Sequence, residues 1–282
     1  MSLPTIAVVN FSELAEDEIQ RAVRAVNRQI VEDFLPIWGA GRTLRLFAPS
    51  FDWTRTRRAV EEPIQGDGVL YLVNQASLSG ALGYHDLNAA ALPVGFVFVL
   101  DLNDWTVTLS HEALELIVDP GVNLLAPGPD PRKPKRTVLH AYEVCDPVER
   151  TSYPIDGVTV SNFVTPAYFT AHKQKGTRND FLGVGVPSFG VTPNSHVSFF
   201  EPETWKFVTV TGEKPSKVKA FADRAQRYDH PKPRRPSEEQ LRAVLKKHRA
   251  KASAGGGSQL RGITRSGRYA ALDTGTPPVD IS

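Results

Sequence analysis

The sequence predicts a mixed α/β fold of the α+β kind. Three observations carry this: short apolar runs of strand length, one long stretch with 3.6-residue periodicity, and a second helix-like stretch that follows the strands and carries one histidine and three carboxylates. With 282 residues, 41% hydrophobic and 9% aromatic, the chain can bury a substantial core.

Thr5 to Asn10 (TIAVVN) reads as a short buried strand. From Glu16 to Leu35 the residues Ile19, Val23, Val26, Ile30, Phe34 and Leu35 fall on one helical face with Glu, Arg and Gln opposite, and Pro36 marks the end of that helix. Leu44, Leu46 and Phe47 alternate as a second strand. Val69 to Val73 and Phe96 to Leu100 supply a third and a fourth. Asp104 is placed to cap the helix that follows, and Pro120-Gly121 to end it. The Pro-rich, basic stretch Pro127 to Arg136 reads as an exposed loop. Val138 to Val144 and Gly157 to Val164 return to strand-like patterns, and Pro166 to His172 suits one helical turn.

Beyond about Thr211 this order fails. Residues 213–282 hold 16 Lys/Arg against 7 Asp/Glu, whereas the body has 17 against 24. Pro215, Pro231, Pro233 and Pro236 interrupt the tail and Gly255 to Ser258 is linker-like, with one helix expected near 237–251 behind a Ser237/Gln240 capping box. The expected organisation is a domain over 1–212 and a basic, partly disordered tail over 213–282.

The second helix holds the chemistry. In Ser110-His111-Glu112-Ala113-Leu114-Glu115-Leu116-Ile117-Val118-Asp119, a period of about 100° per residue puts His111, Glu115, Asp119 and Glu112 on one narrow arc. The rest of the wheel is apolar, so the helix should be buried, and buried carboxylates are costly unless paired or bound to a cation. His111, Glu112 and Glu115 (H-E-x-x-E) resemble the H-E-x-x-H motif of zincins, which implies a metal ion held by His111 and Glu115 at i and i+4, with Glu112 between them as general base. An anionic ligand in place of a second imidazole weakens the Lewis acid and admits harder cations, so zinc is expected with calcium or manganese as alternatives.

A further ligand must come from elsewhere. The cluster His140-Ala141-Tyr142-Glu143-Val144-Cys145-Asp146 offers Glu143 or Asp146. Asp119 suits an orienting role, since a third donor from the same helix would crowd the geometry. Tyr153 and Tyr168 are candidates to stabilise an oxyanion. His85 and His140 are rival ligands that read more naturally as loop or core histidines. Cys145, the single cysteine, excludes an intramolecular disulfide and reads as a small buried residue.

The strand order and the H-E-x-x-E spacing resemble the N-terminal subdomain of zincin metallopeptidases, in which a twisted mixed sheet carries a backing helix and an active-site helix. Gly80 to Asp86 and Pro93-Val94-Gly95 look like the loop and edge strand beside the cleft in matrixin-like zincins. Ser110, His111, Glu112, Glu115, Asp119 and Pro120, with the later Glu143 and Asp146, are similar to a group of zincin-like bacterial and phage proteins, over roughly residues 5 to 205. The third histidine of the metzincin extension is absent, with Val118 and Gly121 at the positions concerned. The resemblance implies a zinc-dependent metallopeptidase acting on a peptide or protein substrate.

Two other expectations follow. The N-terminus lacks a signal peptide and no apolar run nears the roughly 20 residues of a membrane span, which predicts a cytoplasmic protein without membrane association. The basic tail, with Arg234-Arg235 and Arg242, Lys246, Lys247, Arg249 and Lys251, offers a surface for nucleic acid or another acidic partner, or is simply solvated. The competing class of function is a non-catalytic binding or assembly protein whose carboxylate cluster is structural.

Overall fold

The computed structural model describes residues 4–47, 67–74, 82–88, 91–99, 105–170, 176–212 and 220–221, and its several sheets and few helices make an α+β fold. The chain divides into two compact units, one drawn from 1–36, 41–120 and 152–161, the other from 37–40, 121–151 and 162–282.

In the first unit, β1 (Thr5–Phe11) pairs in parallel with β2 (Thr43–Phe47) and β3 (Gly68–Val73), and β3 pairs in parallel with β5 (Pro93–Phe98). Strand β4 (Gly83–Leu87) is antiparallel to β5 and closes one edge, giving the order β2-β1-β3-β5-β4. The central strands are continuous apolar runs because both faces are covered. One face is aromatic, with Tyr71 stacked on Phe11 and Phe96, and Tyr84 on Phe96. The opposite face presents Gly68, Leu70, Gly83 and His85, and it receives helix α3 (Trp105–Val118): a Cβ on Gly68 would meet Leu116, and one on Gly83 would meet Glu112.

The long amphipathic helix is present but does not stop at Pro36. Helix α1 (Glu16–Arg28) runs into a π-helical stretch, Gln29–Phe34, and then into α2 (Leu35–Trp38). A proline in a regular α-helix would strike the carbonyl four residues back and leave a hydrogen bond unmade. The Leu35 amide instead donates to the Ile30 carbonyl, five residues back, and this wider turn admits the ring at Pro36.

The hairpin of β8 (Ser152–Ile155) and β9 (Val158–Ser161) turns through Asp156 and Gly157, both at positive φ, as a two-residue turn demands. It packs on α1 and α3. Ser161 donates its backbone N–H to Ser110 Oγ at 2.6 Å, and Tyr153 Oη donates to Asp33 at 2.7 Å.

The second unit is built on an antiparallel sheet in the order β12-β11-β10-β7-β6: β6 (Leu125–Asp130), β7 (Lys133–Ala141), β10 (His196–Glu201), β11 (Lys206–Thr211) and β12 (Ala220–Phe221). The stretch from Pro127 to Arg136 is therefore a hairpin and not the exposed loop expected. Pro127 and Pro129 are tolerated because β6 is an edge strand, where a residue without an N–H costs the ladder nothing on the open side. Buried Asp130 is paired with Arg132 at 2.9 Å and Arg136 at 3.5 Å; despite the opposing effect of burial, Arg132 holds its carboxyl below the usual range. Leu125, Leu139, Ala141 and Phe200 fill one face of the sheet, and Val138, Val197, Phe199 and Val210 the other. Cys145 is buried. The one helical turn expected after Pro166 is a 3₁₀ turn, Pro166–Phe169. The cap expected from Asp104 and the tail helix lie outside the described residues. No helix among the described residues is long and apolar enough to cross a membrane.

Candidate metal centre

Helix α3 forms from a sequence with no Gly or Pro between Trp105 and Val118, and it is fixed at several points. Thr106 Oγ1 donates to the Thr159 carbonyl at 2.8 Å, Trp105 Nε1 donates to Glu18 at 3.2 Å, and Ser110 holds the β9 backbone. Burial on both the sheet side and the hairpin side explains why its residues are apolar nearly all round.

The stripe read from the sequence lies on this buried helix. Glu112 is 4% exposed, Glu115 2% and Asp119 4%. His111 is partly exposed, and its Nε2 lies 3.2 Å from Glu115 Oε2, so the i and i+4 side chains meet. Asp119 sits where the helix ends, its N–H donating to the Glu115 carbonyl at 2.8 Å.

His85 joins them from outside the helix. It is not a loop residue: it occupies the middle of β4 on the same face as Gly83, which has no Cβ to hold α3 away. Its side chain is buried, with Nδ1 3.4 Å from Glu112 Oε2 and 3.6 Å from Glu115 Oε2. The three side chains His85, Glu112 and Glu115 each offer a donor within 4.8 Å of the others. The period-2 alternation of Gly83 and His85 against Tyr84 and Asp86 is the sequence signal that bears on this placement.

Glu143 and Asp146 belong to the second unit, where both are buried. Asp146 opens a short 3₁₀ turn, Asp146–Val148, and there it meets two residues that the sequence reading did not single out. His196 Nε2 lies 3.0 Å from Asp146 Oδ2, and His196 Nδ1 lies 3.1 Å from Glu149 Oε2. Burial opposes a charge on this ring, but the charge and hydrogen bond of Asp146, with those of Glu149, outweigh it and raise His196 to about 10. His196 is thus an imidazolium bridging two carboxylates. The nearest sequence clue was the acidic pair around Pro147; a partner 50 residues away leaves no local pattern.

Neither tyrosine is idle. Tyr153 Oη donates to Asp33 and accepts from Gln29 Nε2 at 3.2 Å. Tyr168 Oη donates to the Gly190 carbonyl at 2.7 Å, and burial, with the nearby charge of Asp146, pushes its ionisation well above the usual range. His140 is a core residue, set between Phe189 and Phe199 with Nε2 2.9 Å from the Pro129 carbonyl oxygen, and burial lowers it to about 4.

His85, Glu112 and Glu115 form one close donor set, and His111 meets Glu115 in another; one imidazole with carboxylates at such separations suits a divalent cation of zinc type. They fit it better than they fit solvent, since buried carboxylates this close need a positive charge nearby. Searches against protein-family models, curated proteins and solved structures find no match to this chain.

Proposed function

We propose that this chain is a zincin-like, zinc-dependent hydrolase of peptide bonds. The observation that carries the reading is the contact of 3.2 Å between His111 Nε2 and Glu115 Oε2 on a buried helix, with Glu112 beside them at 4% exposure. The parallel sheet with one antiparallel edge strand, and an acidic helix laid across its face, supports the resemblance drawn from the sequence.

His111 and Glu115 hold the cation, with calcium or manganese as alternatives to zinc. When bound, such an ion supplies a Lewis acid that polarises a carbonyl and acidifies water. Glu112 takes a proton from the attacking water on a carboxylate oxygen as the water oxygen bonds to the carbonyl carbon. It then delivers that proton to the amine nitrogen as the C–N bond breaks. Burial of Glu112 keeps bulk water from competing for this proton.

The test is metal content by plasma mass spectrometry on the full-length chain, purified without a histidine tag, beside His111→Ala and Glu115→Ala. About one equivalent of zinc in the wild type and little in the variants is the expected result. A folded wild type that retains no divalent metal after dialysis against zinc overturns the proposal. Asp146→Asn and Glu143→Gln in the same series test the ligand candidates read from the sequence.

A further inference from the structure

We infer that His85, on the edge strand β4, is a positioning residue: its Nδ1–H orients the Glu112 carboxylate for the proton transfers assigned to it. The inference rests on the function proposed above. His85 Nδ1 lies 3.4 Å from Glu112 Oε2, within reach of a long hydrogen bond of the kind that tightens as a reacting complex forms. Glu115 Oε2, at 3.6 Å, is beyond hydrogen-bond distance, so the N–H is directed to Glu112.

The sheet sets this direction. Alternation along β4 sends Gly83 and His85 to the face that carries α3, and Tyr84 to the aromatic face, where it stacks on Phe96. Glu112 Oε1 lies over Gly83, where a Cβ would stand 2.7 Å away, and Oε2 lies against His85 two residues further on. One strand therefore faces both oxygens and fixes the plane of the carboxylate. The ring is itself seated firmly. His85 is buried, and Gly95 stands opposite it in β5, where a Cβ would lie 3.5 Å from His85 Cβ and strike Leu70.

This geometry suits the task of Glu112. A general base must point at the water it deprotonates and then at the amine nitrogen that receives the proton, and a glutamate with three rotatable bonds does so only when held. A hydrogen bond at Oε2 holds it, while the His85 ring gives up no proton in the reaction. A side chain carried on a strand serves this purpose better than one on a loop.

The experiment uses the full-length, zinc-loaded chain with His85→Asn, His85→Gln and His85→Leu. The amide N–H of asparagine falls where Nδ1 stands, that of glutamine where Nε2 stands, and leucine has neither. Zinc content is expected to stay near one equivalent in all three. With a quenched fluorescent peptide that the wild type cleaves, kcat should fall roughly 10–100-fold in His85→Leu and His85→Gln, with KM unchanged, and recover in His85→Asn. A readout free of both metal and turnover is the His85 ring in the metal-free wild type: long-range ¹H–¹⁵N NMR should find the proton on Nδ1. Wild-type kcat in His85→Leu, an equal loss in Asn and Gln variants, or a bare Nδ1 overturns this inference and leaves the hydrolase proposal standing. Where the leucine variant fails to fold, the comparison of Asn with Gln and the ring proton still decide. A zinc-loaded wild type that cleaves no peptide overturns both.

Discussion

A methyl group on Gly83 would stand 2.7 Å from Oε1 of Glu112, so the edge strand approaches the acidic helix as closely as it does because residue 83 lacks a side chain. The same Cβ would lie 2.7 Å from Thr108 Cγ2 and 2.8 Å from the Phe96 carbonyl oxygen. One of these is backbone, so rotamer changes alone cannot relieve the crowding. Gly83→Ala should therefore cost about 1–3 kcal/mol, as overpacking of a filled core does, and should shift Glu112. Urea denaturation measures the cost; a midpoint equal to wild type would mean that β4 yields easily.

Ser110 tests the other side of the same helix. Its Oγ accepts the Ser161 N–H at 2.6 Å in a buried setting and ties the β8–β9 hairpin to α3. In Ser110→Ala that amide loses its acceptor, at a cost of about 1–3 kcal/mol. Faster amide exchange at Ser161, measured by NMR, would locate the effect. Unchanged exchange would show that another acceptor takes over.

The parts of the fold legible in the sequence are those whose pattern is local. TIAVVN and VLYLV are apolar on both faces and read as buried strands, and the His/Glu stripe of α3 is visible because helical neighbours are four residues apart. What escaped depends on partners distant in the chain. The prolines of β6 suggest a loop until β6 is seen to be an edge strand. Pro36 suggests a helix end until the π-helical stretch makes room for it. His85 meets Glu112 across 27 residues, and His196 meets Asp146 across a longer span still; the period-2 alternation of β4 assigns His85 to a face, but no local pattern names the partner of either histidine.

His140 makes stability depend on pH in one direction. The buried ring resists protonation down to about 4, whereas an exposed histidine accepts a proton near 6.5. Between those values the unfolded chain binds more protons than the folded one, so stability falls as pH drops from 6.5 towards 4 and is untouched above 6.5. The contribution is about 3 kcal/mol across that window. In His140→Leu the stability curve, followed by urea unfolding at each pH, should be flatter by that amount. Parallel curves for wild type and variant would show that His140 does not supply the dependence.

A bound cation should stabilise the folded chain by mass action, because the unfolded chain holds no preformed site. At free zinc about 100 times its dissociation constant, the gain is about 2.7 kcal/mol. Chelation with EDTA should therefore lower the melting temperature, and added zinc should restore it. Glu115→Ala should abolish the response, since Glu115 is within 3.6 Å of both imidazoles. An equal response in that variant would place the zinc elsewhere.

Glu112→Gln separates a catalyst from a structural carboxylate cluster. The substitution preserves shape and one carbonyl oxygen but removes the ability to take and return a proton. Oε1 faces the position of Gly83 and Oε2 faces His85, so the amide fits the same space without new bulk. Zinc content should therefore stay near one equivalent, while hydrolysis of casein or a quenched fluorescent peptide library should fall by about 10²–10⁴-fold, the range that general acid–base catalysis contributes. Loss of turnover together with loss of metal would instead make Glu112 a ligand, with the proton carried by another group. Turnover retained in Glu112→Gln would mean that the reaction does not use this carboxylate.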